Sequence, residues 1–220
     1  MNAIVVKNEY LSLIQDDKNF INSVQLGRIL GAIQYNKIIY AKIMENENAN
    51  TSIQLYLLLN HAALLFEGIK KFYSSKSDFE DLNFYKKNLD RIKIILSEAE
   101  DENSFNNKVL KKIRNRIVFH FDKGVIREVL SEFIDDSLKE KEDLILIQGE
   151  TELVKDTAYL LSDNMNINYV LKSINGEKLS NEDKFKILSG TLLNLSELFC
   201  DILASIIPDL IEDYCEFKEL

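Results

Sequence analysis

The chain has 220 residues, of which 46% are hydrophobic and 29% charged, enough apolar sequence to bury the core of one domain or one domain plus a small appendage. Only 7 glycines and 1 proline are present, which disfavours a β-sandwich or β-barrel, whose many turns need these residues, and favours long helices. The net charge of −9 disfavours generic polybasic binding to nucleic acid or membranes but allows a local basic patch.

Cysteine usage and hydropathy indicate a cytoplasmic protein. Cys200 and Cys215 form neither a disulfide framework nor a CxxC metal site, so reduced thiols are the plain interpretation. Residues 1–10 lack the basic and apolar regions of a signal peptide, and no apolar run is long enough to predict a transmembrane helix. No metal-ligand cluster and no phosphate-binding glycine loop is visible, so we expect no metal and no cofactor.

Helical spacing of apolar residues dominates the first part of the chain. Gly27 and Gly31 lie four residues apart in the first such segment and predict close packing against another helix. Ser104 is a good N-cap, and Gly124 is suited to the left-handed conformation that ends a helix. The predicted helices cover residues 16–47, 51–72, 79–98, 105–123 and 125–136.

The second part of the chain begins with a charged linker at residues 137–143 and an apolar run at 144–147 that is too short to assign. Ser180 and Asp183 resemble an acidic variant of the capping box and predict the start of a long last helix. Pro208 is expected to end or kink that helix.

Helices joined by short loops favour an all-α fold, an antiparallel up-and-down bundle. We expect residues 1–136 to form this bundle. Residues 137–220 are expected to be a mostly helical C-terminal extension, packed on the bundle or used in assembly.

One segment, residues 108–123, is unusually basic for so acidic a chain, with two of the five arginines. At about 100° per residue, its apolar residues form one helical stripe that contains His120, with Arg114 and Arg116 at its edges. By itself this pattern is typical of a packed core histidine, with arginines that pair with surface carboxylates. The apolar stripe consists of Val109, Leu110, Ile113, Ile117 and Phe121.

The string Arg114-Asn115-x4-His120 resembles the Arg-polar-x4-His motif of the HEPN superfamily, a group of all-helical bundles. The surrounding residues 113–122 are similar to the abortive-infection-type branch of that superfamily, as are residues 26–30 on the first helix and Glu67 on the second. The resemblance covers about residues 20–135.

This resemblance implies metal-independent RNA cleavage by the 2′-hydroxyl of the RNA, in a groove formed by two protomers. His120 is expected to act as general acid and base, and Arg114 to stabilise the phosphate through bidentate hydrogen bonds. Asn115 would orient His120 or the phosphate. The residues expected to guide the RNA backbone are Lys111, Lys112 and Arg116.

Two further side chains on the second predicted helix, Glu67 and His61, are considered for a role in the site. Glu67 could support the site by pairing with Arg114, or it could form an ordinary i,i+4 pair with Lys71. His61 is interpreted as a packed or hydrogen-bonded histidine without a role in chemistry.

Departures from the family pattern bear on regulation and activity. Many HEPN toxins carry a modifiable tyrosine two residues after the histidine, where this chain has Asp122, and the usual tyrosine directly after it is Phe121. The resemblance predicts a homodimeric toxin or antiphage ribonuclease, held in check by a cognate antitoxin or regulatory protein. The alternatives are a catalytically inactive HEPN-like binding or assembly module, and a helical scaffold without a nucleic-acid role.

Overall fold

The computed structural model describes residues 2–44, 51–118, 169–174 and 179–219, with Gly124, Arg127, Ser131 and Ile167. The described chain is predominantly helical, and a ribbon of two antiparallel strands joins its ends, with Val6 opposite Cys215. Short 3₁₀ turns cover Asn8–Tyr10 and Lys76–Asp78. The main elements are β1 (Asn2–Val6), α1 (Lys18–Met44), α2 (Thr51–Ser74), α3 (Asn83–Lys87), α4 (Leu89–Glu100), α5 (residues 105–118), α6 (Asn181–Ile211) and β2 (Cys215–Glu219).

The prediction of a mainly helical chain is confirmed, whereas the up-and-down order of the bundle stays a prediction. The boundary at residue 136, the linker at 137–143 and the run at 144–147 all lie outside the described residues. The last helix, α6, belongs to the C-terminal extension that the sequence predicts. It packs along α1 and contributes to the same core as α2.

The core lies where α1 is packed between α2 and α6. Phe72 of α2 makes an edge contact with Phe199 of α6, with ring centroids 5.9 Å apart, and also contacts Phe79. A buried polar network ties α1 to the end of α2, since Asn22 donates to Asp78 at 3.0 Å and accepts from Lys71 at 3.1 Å. Lys71 therefore hydrogen-bonds to Asn22 of α1, whereas Glu67 forms its ion pair with Arg114.

Gly68 is the point of closest approach between three helices. A Cβ at this position would lie 2.6 Å from a ring carbon of Phe199 and 2.8 Å from Ile29 Cγ2, distances below those of real van der Waals contacts. Gly27 and Gly31 have open space instead. The prediction that these two glycines mark close packing is therefore wrong, and the glycine that does so lies on α2.

The predicted third helix, residues 79–98, is two helices with a break at Asn88. Asn88 donates its side-chain amide to the Phe84 carbonyl at 3.0 Å, which competes with continuation of the helix. The first turn of α3 receives its cap from a distant element, because the Phe84 N–H donates to Asp209 of α6 at 2.8 Å.

Pro208 lies inside α6 and does not end it, although the missing N–H leaves one helical hydrogen bond unmade. Burial of Leu210 and Ile211 beyond the proline holds the last turn against the core. The predicted start is confirmed, since Ser180 Oγ accepts from the Asp183 N–H at 3.1 Å.

By length and composition alone, α6 could cross a membrane. Core helices meet the same criterion, and α6 buries Leu192, Phe199 and Ile206 completely. This packing is compatible with a soluble fold.

The chain ends, for which no strand was predicted, are tied together. The Lys7 N–H donates to the Tyr214 carbonyl at 3.0 Å, and the Tyr214 hydroxyl donates to Asp17 at 2.9 Å. The same Asp17 carboxylate caps α1 by accepting from the Phe20 N–H at 2.7 Å. The bond to Asp17 raises the pKa of Tyr214, because ionisation would place two anions in contact.

We predict opposite stability effects for alanine at two helical glycines. Gly68→Ala forces the Phe199 ring and Ile29 apart and should cost about 1–3 kcal/mol of unfolding free energy. Gly31→Ala meets no atom and should stabilise the chain by up to about 1 kcal/mol, because alanine loses less backbone entropy in a helix. Urea unfolding of both variants beside the wild type measures the difference, and equal effects would contradict the three-helix crossing.

Candidate functional site

The candidate site is built on α5, whose start is fixed by its cap. Ser104 Oγ accepts from the Asn107 N–H at 3.1 Å, as predicted for an N-cap. Asn107 in turn donates to the Ala99 and Asp101 carbonyls at the end of α4, which holds the two helices together.

Two stretches of α5, Asn106–Leu110 and Ile113–Val118, have π-helical geometry. Such i→i+5 segments are uncommon and often occur at functional sites. Val109, Leu110 and Ile113 are buried as predicted. Faces assigned with 3.6 residues per turn drift along a helix wound in this way, so the relation of Arg114 to residues further on cannot be transferred from the ideal α-helix.

Arg114, Asn115 and Glu67 come together between α5 and α2. The Arg114 Nε group forms an ion pair with Glu67, and Nη1 donates to Asn115 Oδ1 at 2.9 Å. Both partners of the ion pair are half-buried, with side-chain exposures of 29% and 38%. Of the two partners considered for Glu67, the structure thus shows Arg114.

The two predicted RNA-guiding lysines of α5 have different surroundings. Lys112 donates to Ser173 Oγ at 2.9 Å and to the Tyr169 carbonyl at 3.2 Å, and its ammonium group lies 3.6 Å from the centre of the Tyr169 ring. These contacts anchor residues 169–174 to α5 and give no support to an RNA-binding role for Lys112. Lys111 is exposed and lines a cleft.

His120 lies outside the described residues, and the side chain of Arg116 does as well, so their predicted roles stay predictions. Gly124 is described and is itself helical. The helix end predicted at that glycine is therefore not observed.

A cleft of about 290 Å³ opens between α2 and α5, and Asn115, which accepts from Arg114, is one of its lining residues. Phe66, Lys70 and Tyr73 form its α2 wall, at spacings that place them on one face of the helix. Their grouping with α5 depends on helix packing, and no local sequence signal indicated it. The rest of the cleft is lined by Ala99, Asn106, Asn107, Lys111 and Asn115.

His61 is buried away from this cleft and contacts Ser196 of α6, with 3.0 Å between Nε2 and Oγ. Burial, assisted by the charge of Lys37, lowers its pKa from 6.5 to about 4. The interpretation of His61 as a packed, hydrogen-bonded histidine agrees with this geometry.

Within the described ranges, no three His, Cys, Asp or Glu side chains come together as metal ligands. Cys200 and Cys215 are free and buried, and burial raises the pKa of both thiols. Comparison of the chain with protein-family models, with curated proteins and with solved structures finds no match.

We predict that His61 makes the protein acid-sensitive between pH 6.5 and about 4. Its pKa is lower in the folded than in the unfolded chain, so the unfolded state binds more protons in this window and stability falls as the pH is lowered. The loss should be on the order of 3 kcal/mol.

Urea unfolding at pH 7 and pH 4.5 tests this effect in the wild type and His61→Gln. Glutamine can keep a hydrogen bond to Ser196 without titrating, so the variant should lose clearly less stability on acidification. An identical pH dependence in both proteins would show that other groups cause the acid sensitivity.

Proposed function

We propose that the protein is a HEPN-like, metal-independent endoribonuclease that acts on cytoplasmic RNA as a toxin or antiphage effector. Cleavage would proceed by attack of the 2′-hydroxyl in a groove between two protomers, with a cognate antitoxin or regulatory protein as a further partner. His120 would transfer protons, and Arg114 would stabilise the negative charge that develops on the phosphate.

The observation that carries this proposal is the arrangement around Arg114. An arginine on a π-helical stretch is held by Glu67 from another helix and by the neighbouring Asn115. Holding a guanidinium group in place before substrate arrives lowers the cost of ordering it in the transition state. The cleft lysines Lys70 and Lys111, each three residues along its helix from one partner of this ion pair, fit an anionic substrate in a chain of net charge −9.

One observation favours the second candidate, a catalytically inactive binding or assembly module. The Glu67 carboxylate neutralises the charge of Arg114, and an arginine satisfied within its own chain can be purely structural. The two candidates differ in whether the wild type cleaves RNA, and where it does, removal of the Glu67 charge tests whether the ion pair serves turnover.

The proposed activity predicts loss of RNA cleavage on replacement of Arg114 or His120. Arg114→Lys keeps the charge but loses the planar fork and should reduce cleavage about 100-fold or more, and His120→Ala should reduce it to a similar or greater extent. The assay follows total cellular RNA and tRNA with purified protein in EDTA. Arg91→Lys is the matched control, because Arg91 pairs with Asp201 on the surface and does not line the cleft.

Cleavage by the wild type that persists in His120→Ala would show that the assigned mechanism is wrong. Absence of cleavage by the wild type under these conditions would favour the binding module.

Glu67→Gln separates positioning from a purely structural role. If Glu67 orients a working arginine, the variant should lose about tenfold in kcat, or ~1.4 kcal/mol, with little change in KM. Thermal unfolding measured in parallel shows whether the fold is intact. A stable variant with unchanged kcat would exclude Glu67 as a positioning residue.

A further inference from the structure

The cleft between α2 and α5 has the composition of an anion site with an aromatic wall. Lys70 of α2 and Lys111 of α5 both line the cleft, and both are exposed. None of the residues that line the cleft is acidic. Two lysine ammonium groups with side-chain amides nearby can bind a phosphate group through charge-assisted hydrogen bonds.

Two carboxylates next to the lining residues form ion pairs with other cations, so their charges do not cancel those of the two lysines. Glu67 pairs with Arg114, and Glu100 pairs with Lys76 at 2.9 Å. Glu98 accepts from the Asn106 N–H at 2.9 Å. Within the described residues, Lys70 and Lys111 form no ion pair, which leaves a local positive potential in an acidic chain.

The cleft also offers an apolar surface and polar groups suited to a base. Phe66 forms a buried part of the wall and Tyr73 a half-exposed part. Asn106 is 2% exposed, and among the described residues its side-chain oxygen has no hydrogen-bond donor. A buried acceptor without a donor is costly unless a ligand or water supplies one.

We propose that this cleft is a nucleotide-binding site. The phosphate binds between Lys70 and Lys111, and the base contacts the aromatic wall of Phe66 and Tyr73. The volume of about 290 Å³ is at the lower end of the range for ligand pockets and suits one nucleotide. The nucleotide could be free or one unit of an RNA chain next to Arg114, and only the second source rests on the proposed ribonuclease function.

Binding is tested with two probes on the full chain, a fluorescein-labelled ten-nucleotide single-stranded RNA and AMP, with inorganic phosphate as a comparator. The combined variant Lys70→Gln/Lys111→Gln should weaken RNA binding at least tenfold. It should also make the slope of log affinity against log salt concentration about one unit shallower. Tyr73→Leu should weaken AMP binding but not phosphate binding, because stacking on aromatic groups contributes to affinity for bases.

The charge-matched control is Lys87→Gln/Lys93→Gln, which removes two exposed lysines from α3 and α4 outside the cleft. This control should leave the binding of each probe within about twofold of the wild type, since its lysines do not line the site. Equal loss in both double variants would overturn the site in favour of non-specific attraction. Absence of binding by AMP and RNA, or equal affinity for AMP and phosphate, would also overturn it.

Separate measurements test whether the bound nucleotide is free or part of an RNA and whether the protein is a ribonuclease. Displacement of labelled RNA by AMP at the concentration that saturates the cleft indicates that a free nucleotide can occupy it. RNA binding that depends on the two lysines without any cleavage in EDTA would contradict the ribonuclease and leave the site standing. Cleavage that is unchanged in Lys70→Gln/Lys111→Gln, with unchanged binding, would contradict the site and leave the ribonuclease standing.

Discussion

The close approach of three helices at Gly68 is the constraint on which the rest of the structure depends. Hydrogen in place of a side chain lets Ile29 of α1 and Phe199 of α6 meet α2 at the same level. The neighbouring Glu67 then lies where it can pair with Arg114 of α5. Because Phe66 and Lys70 are on the same helix, this crossing also sets one wall of the cleft. Packing in the core and the geometry of the candidate site are therefore coupled through a single glycine.

The charged side chains near the cleft are arranged differently from those of the chain as a whole. The chain is acidic as a whole, yet the carboxylates next to the cleft are paired with Arg114, Lys76 and a backbone N–H. The two ion pairs balance the charges of Glu67 and Glu100, whereas Lys70 and Lys111 form no ion pair within the described residues. An acidic protein can in this way present a small positive surface, so a net charge of −9 is compatible with local binding of an anion.

Hydrogen bonds between residues far apart in the sequence also stabilise the packing of the helices. Asp209 of α6 caps α3, Tyr214 bonds to the cap of α1, and Lys112 anchors residues 169–174 to α5. Each of these contacts satisfies a group that would otherwise be an orphan at a helix end or a half-buried charge. The contact made by Lys112 illustrates how a basic residue next to a motif can serve the fold rather than the ligand.

Local signals in the sequence determined the helical class, the Ser104 and Ser180 caps and the buried face of α5 at Val109, Leu110 and Ile113. These features depend on residues a few positions apart, so propensity and periodicity are sufficient to predict them. The sequence also indicated Arg114 as a partner of Glu67, with Lys71 as an equally good alternative partner. Tertiary structure alone decided between the two, because Lys71 is taken by Asn22 of α1. It also decided which glycine marks close packing, where the chain ends pair, how Pro208 is tolerated and which side chains share a cleft. These outcomes depend on contacts between residues far apart in the sequence, about which local periodicity carries no information.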